Sequence, residues 1–379
     1  MTNLSEIRRR HAAHYESIVS RADDDYLKGG EALEAGLRLL TREWPNIKVG
    51  QRWAQQNADR DDAAARLCMV YPDSGSSILE MRLHPRERIE WLDAALSAAR
   101  RLKDQKAEGR HLMNLAMAYS SLTQPSVAIE HYENALKVMR ETGNSAGEIA
   151  ALVNVGLDHD FIGAREKAIQ CFDQALSLSR VMSDRRGEAH ALSNLGIASL
   201  LAGGTEEAIG FFEEALVISR EVGNRRGEAA LLGNLGLAFA RINQIEKARE
   251  NFENVLSISR QIGDLSGQSN ALGNLGNLSY SSGDMQKALD CHEKALAISR
   301  DLGDRNSEAL DLGNIGRTLI ALGQRQRASE FFARQLAVAH ETNNARAANI
   351  ALANLSDLQT DSGDPTCAFA ADEKQADNQ

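Results

Sequence analysis

Residues 225–264, RRGEAALLGNLGLAFARINQIEKARENFENVLSISRQIGD, hold two apolar-periodic stretches separated by a short polar turn, the pattern of a helical hairpin. A helix A near 225–241 places Leu232, Leu235, Gly236 and Phe239 on one face. A helix B near 245–262 does the same with Ala248, Phe252 and Val255. The two faces are expected to meet, with Gly236 leaving room for the Phe252 ring.

Outward from this stretch, the unit recurs every forty residues. Asn114, Asn154, Asn194, Asn234, Asn274, Asn314 and Asn354 keep that period, each followed by Leu, Val or Ile. Ala128, Ala168, Ala208, Ala248, Ala288, Ala328 and Ala368 keep it too. An array of stacked hairpins explains how 379 residues dispense with one central core. With only five prolines and 5% aromatic residues, a β-rich fold is disfavoured and the chain reads as all-α.

The order L-x2-L-G-x2-aromatic, then A-x3-F-x2-A or V, resembles the tetratricopeptide repeat over about residues 62–369. The resemblance implies a right-handed superhelix of stacked antiparallel helix hairpins. Two departures are visible: the usual Trp position holds Leu in most units, and Arg140, Arg180, Arg220, Arg260 or Arg300 stands where Pro commonly ends helix B. Arg continues a helix that Pro would break, so an extended helix B is expected to account for the longer unit. Units reading ISREVGN-x2-GE-x5-NLG are most similar to the spindle-orientation scaffolds of the Pins/LGN type, which implies a concave surface that binds peptide segments of partners.

The expected organisation is a helical cap or junction over 1–61, a degenerate first repeat over 62–103, six full repeats plus a truncated seventh over 104–369, and a polar tail over 370–379. Within the cap, helical patterns are expected to be separated by Gly29-Gly30 and by Pro45. RHAAHY, REWPNIKVGQRWA and LHPRERIEWLDAAL resemble the segment that joins the nucleotide-binding part of bacterial STAND signalling ATPases to their repeat arm. No G-x4-GK-[ST] accompanies them. The truncated seventh unit is expected to expose apolar surface at Leu352 and Leu355.

Asn in a helix interior costs roughly half a kcal/mol or more relative to Ala, so the Asn column needs a reason. On a helical wheel each Asn points away from helix B, and the residues four before, three after and seven after it share its stripe. The stripe reads Met117, Leu157, Phe161, Ile197, Leu201 and Leu237 in the first half. It continues as Arg241, Asn270, Asn277, Ser281, Arg317, Asp357 and Asp361. The amides suit pairing with the backbone of an extended peptide. They equally suit a ladder that bonds neighbouring A helices, and the apolar stripe members could instead be buried between those helices.

The net charge of −10 disfavours nucleic-acid and membrane-surface binding, and no stretch approaches a membrane span or a signal peptide. Cys68, Cys171, Cys291 and Cys367 lack paired spacing, which fits a reducing cytoplasm and no metal site. Metalloprotease, hydrolase and dinucleotide motifs are absent, so neither catalysis nor a cofactor is expected. His84, His111, His159, His190 and His292 read as satisfied or solvent-facing. The recurring Arg at the end of helix B and Glu148, Glu188, Glu228 and Glu308 after it complement helix dipoles and are placed to pair. The expected function is a scaffold for a protein or peptide ligand, the alternative a ligand-sensing arm of a STAND-type ATPase.

Overall fold

A computed structural model describes residues 4–360, so the expectations at Asp361, Cys367, Ala368 and the tail lie outside the described residues. Helices account for nearly all of them: α1 Leu4–Lys28, α2 Gly30–Asn57, α3 Asp62–Val70, α4 Ser76–Arg82 and α5 Pro85–Leu102 precede the regular repeats. Seven A helices follow, α6 Gln105–Ser121, α8 Ser145–Phe161, α10 Arg185–Ala202, α12 Arg225–Arg241, α14 Leu265–Ser281, α16 Arg305–Ala321 and α18 Ala345–Thr360. Between them run the B helices α7 Pro125–Glu141, α9 Arg165–Met182, α11 Thr205–Glu221, α13 Ile245–Gln261, α15 Met285–Asp301 and α17 Arg325–Glu341. The fold is an all-α solenoid of sequential helix hairpins, divided into two compact units, Met1–Ala198 and Ser199–Gln379.

Two devices set the helix ends. Each turn contains a residue in the left-handed region, such as Gly223 (φ 68) or Asn243 (φ 59), which only Gly or Asn adopts at little cost. Asp or Asn then caps most A helices: the Asn224 Oδ1 accepts from the Gly227 amide at 3.0 Å and the Asp264 Oδ1 from the Gly267 amide at 2.9 Å. Because α12 and α13 are 17 residues each, the extra length of the unit is shared by both helices. The expected lengthening of helix B alone is thereby corrected: three-residue turns every twenty residues limit A and B equally.

Inside each hairpin the expected faces meet. Leu232, Leu235, Ala248, Phe252 and Val255 are buried, and a Cβ placed on Gly236 would lie 2.5 Å from the Phe252 ring. Successive hairpins are joined by ion pairs eight residues apart: Arg100–Glu108 (2.7 Å), Arg140–Glu148 (2.6 Å) and Arg180–Glu188 (2.9 Å) in the first unit. Arg220–Glu228 and Arg300–Glu308, both 2.8 Å, do the same in the second. With the guanidinium half-exposed, each contributes at most about 1 kcal/mol and acts mainly to fix the turn.

The expected break at Pro45 does not occur, because α2 runs through it. Leu39, Leu40, Ile47 and Trp53 are buried along α2, and burying such side chains at about 1.5–3 kcal/mol each outweighs the roughly 3 kcal/mol that an interior Pro costs. α1 turns into α2 at Gly29 and Gly30, both at positive φ. The block is tied by long-range bonds: the Tyr71 Oη donates to the Ala12 carbonyl at 2.8 Å, and Asp23 Oδ1 accepts from the Ile78 amide at 2.7 Å.

Candidate functional site

The A helices carry the candidate surface, and each unit presents its own part of it. In the first unit Asn114, Asn154 and Asn194 are half-buried, and the residues three and seven further on stand in solvent. Phe161 is 69% exposed and Leu157 47%, with Met117 and Ile197 also exposed. These apolar side chains are therefore not buried between adjacent A helices. A position that projects at every third-plus-fourth step of the A helix has no B-helix partner, so its exposure follows from the hairpin geometry.

In the second unit Asn234, Asn274 and Asn354 are half-buried and Asn314 is buried. Leu237, Asn277, Arg317 and Asp357 stand exposed three residues further on, as does Arg241 seven after Asn234. Some of these groups are already engaged. Arg317 donates to the Asn314 Oδ1 at 2.6 Å, and Arg241 donates to the Leu200 carbonyl at 2.7 Å. The Asn194 amide donates to the His190 carbonyl of its own helix at 2.9 Å, while the buried Asn354 Nδ2 has no partner among the described residues. The side chains of Asn114, Asn154, Asn234 and Asn274 make no hydrogen bond among the described residues. Within each unit, no amide of the column bonds the neighbouring A helix among those residues.

Three A helices of the second unit enclose a cavity of about 490 Å³. α12 contributes Asn234 and Leu237, α14 contributes Asn270, Asn274 and Asn277, and α16 contributes Leu310, Asp311 and Asn314. Its floor includes Gly233 and Gly273, where an added Cβ would meet nothing within 4 Å. These glycines differ from Gly236 and Gly276, whose Cβ positions are filled by the Phe252 and His292 rings. An interior Gly costs about 0.5–1 kcal/mol relative to Ala, and no packing in the structure requires it at 233 or 273.

Sequence reasoning named the Asn residues and Asn277 but passed over Gly233, Gly273 and Asp311. Asp311 is 5% exposed, and burial, followed by the charges of Asp304 and Glu308, pushes its carboxyl up to about 6 against an opposing hydrogen bond from Ser299. The expectation that the histidines are satisfied or solvent-facing holds for His84, an N-cap that accepts from the Arg86 amide at 3.2 Å, and for the exposed His190. It is corrected for His111, His159 and His292, which are buried with ring nitrogens that have no hydrogen-bond partner. His111 Nδ1 lies 3.7 Å from Asp73 Oδ1, beyond hydrogen-bond reach, and burial pushes His111 and His292 down to about 4.

Among the described residues no group of three His, Cys, Asp or Glu is placed to hold a metal ion. Burial pushes the Cys68 thiol up to about 12, so it carries no thiolate near neutrality. No helix among these residues is long and apolar enough to cross a membrane.

Sequential helix hairpins that repeat on a forty-residue period define a helical-repeat protein. The chain belongs to the tetratricopeptide repeat family, which matches residues 108–180, 187–261 and 267–341. Aspartyl phosphate phosphatase F from Bacillus subtilis is similar in fold, with a TM-score of 0.61 and 13% identity over 92% of this chain and 96% of that one. A STAND signal-transduction ATPase with a tetratricopeptide repeat sensor, from Pyrococcus horikoshii, gives 0.60 and 15% over 92% of this chain and 55% of that one. A Rap protein complexed with competence and sporulation factor gives 0.52 and 13% over 89% and 98%. No curated protein matches this chain in sequence. At these identities the likeness is one of fold.

Proposed function

We propose that the chain is a protein-interaction module, a binder and not an enzyme, that receives an extended peptide segment of a partner on the face of its A helices. The observation that carries this reading is the floor of the second unit's cavity. Two helix-interior glycines with open space above them lie beside Asn234 and Asn274, whose amides have no partner among the described residues. A peptide backbone can approach a glycine surface closely, and an Asn amide supplies one donor and one acceptor to it whatever the ligand's side chains. The exposed Leu157, Phe161 and Ile197 of the first unit suit apolar anchors of a ligand on that unit. The forty-residue unit and its Asn column favour the Pins/LGN type of array. The Rap protein of similar fold, seen in complex with competence and sporulation factor, adds support by analogy.

The test is binding of random-sequence peptide libraries to the intact chain and to the Asn234→Ala/Asn274→Ala variant. The variant should melt no earlier than the wild type, since Ala is the better helix former. It should bind more weakly by about 0.5–1.5 kcal/mol for each hydrogen bond lost. Equal affinity of the folded variant would refute the role of the column.

A second reading, the ligand-sensing arm of a STAND-type ATPase, is supported by the likeness to the P. horikoshii protein. Co-purification of a P-loop nucleotide-binding partner from the native lysate would favour it, and its consistent absence would count against it.

A further inference from the structure

Three residues before the Asn of each A helix, four repeats carry Ala, one Leu and one His, whereas α16 carries an acid, Asp311. Asp311 lies on the wall of the second unit's cavity and is 5% exposed. Its Oδ2 accepts from the Ser299 Oγ at 2.8 Å, and Ser299 is itself in contact with the Ser269 hydroxyl at 3.1 Å. Its Oδ1 has no hydrogen-bond partner among the described residues and is not sealed from solvent, on a side chain that lines the cavity. A carboxylate withdrawn this far from water is costly unless paired with a cation. No Lys or Arg among the described residues pairs with it.

The surrounding charges do not relieve it. Asp304 and Glu308 on the α16 side add negative potential, and Glu308 is already held by Arg300 at 2.8 Å and Arg305 at 2.5 Å. Asp264 at the start of α14 and Arg226 of α12 are the other charged residues of the lining. The cavity thus has a net negative lining, amide carbonyls from Asn274 and Asn277, and one open carboxylate oxygen.

Building on the peptide-binding reading above, we propose that this cavity receives a cationic side chain of the bound peptide, a lysine ammonium or arginine guanidinium, with Asp311 as its counter-charge. The Oδ1 accepts one N–H of the cation, and the Asn carbonyls are placed for those that remain. Ser299 orients the carboxylate by holding its other oxygen. An unmatched acid that opposes folding in the free protein is then matched when the ligand is bound. This accounts for an acid where the other repeats carry a neutral or basic residue.

The experiment uses positional-scanning hexapeptide pools, read by fluorescence polarisation against the full chain at pH 7.5. Pools that fix Arg or Lys at one position should bind at least tenfold more tightly than pools that fix citrulline or acetyl-lysine there. In Asp311→Asn, whose amide oxygen still accepts from Ser299, that preference should vanish while binding of the neutral pools persists. Asp311→Ala, the residue of four other repeats, should behave likewise and serves if the Asn variant fails to fold. Binding without a basic preference, or a preference that survives both variants, would overturn the inference and leave the peptide reading standing. If no pool binds the wild type, both fall.

Discussion

His292 occupies the place in α15 that Phe172, Phe212, Phe252 and Phe332 occupy in α9, α11, α13 and α17. It is 1% exposed, its ring covers the Cβ position of Gly276 at 2.5 Å, and its Nδ1 has no partner. Burial, with the nearby Arg317 charge adding to it, pushes the imidazole from 6.5 down to about 4. A histidine whose pKa is lowered by folding contributes stability that is fully present above pH 6.5 and is lost as the pH falls toward 4. At about 1.4 kcal/mol per pH unit, the loss should reach roughly 2 kcal/mol at pH 5 and roughly 3 kcal/mol at pH 4. His292→Phe removes the titrating group and the orphan nitrogen, and puts into the same glycine cradle the ring the other repeats use. Urea denaturation followed by far-UV circular dichroism at pH 7.5 and pH 5.0 should show a higher midpoint for the variant at both. The gap should be wider at pH 5.0. His111 shifts in the same direction in both proteins, so the difference between them isolates His292. A variant that loses as much stability as the wild type between the two pH values would refute the reasoning.

The two kinds of interior glycine separate cleanly. Gly236→Ala should destabilise by about 1–3 kcal/mol because its Cβ would press on the Phe252 ring, while Gly233→Ala should stabilise by up to about 1 kcal/mol, and thermal melts of the pair check both signs. Asp311, raised from 3.8 to about 6, withholds stability that is present below pH 3.8 and lost as the pH rises through 6. Asp311→Ala should therefore melt later than the wild type at pH 7.5, by the equivalent of about 2–3 kcal/mol, with the advantage gone near pH 4. An equal advantage at both pH values would show that the carboxylate is not the cause.

The hairpins were legible because a fixed period multiplies one weak helical signal many times over. The helices read near 225–241 and 245–262 emerge as Arg225–Arg241 and Ile245–Gln261. Asp104, Asn144, Asp184, Asn224, Asp264, Asp304 and Asn344 keep the same period just before each A helix, a capping signal that would have fixed the boundaries. Pro45 misled because local propensity there is overridden by the burial of Leu39, Leu40, Ile47 and Trp53. His292 misled because the burial of a B-helix residue depends on the glycine opposite it, here Gly276. Asp311 stood open to discovery: comparing the residue three before each Asn exposes one acid among neutral and basic neighbours. What no single repeat reveals is the cavity, since its walls come from three A helices in different repeats.

The bonds that tie Asp23 to Ile78 and Tyr71 to Ala12 span 55 and 59 residues, whereas the ion pairs between repeats span eight. A chain emerging from the ribosome therefore meets two regimes. The first block has to wait until its fourth helix has left the tunnel before Asp23 finds its amide, and until α3 and Tyr71 emerge α1 and α2 hold only each other. After that, each further twenty residues deliver a helix whose partner is already waiting beside it, so the later repeats are added onto a finished surface and need no distant search.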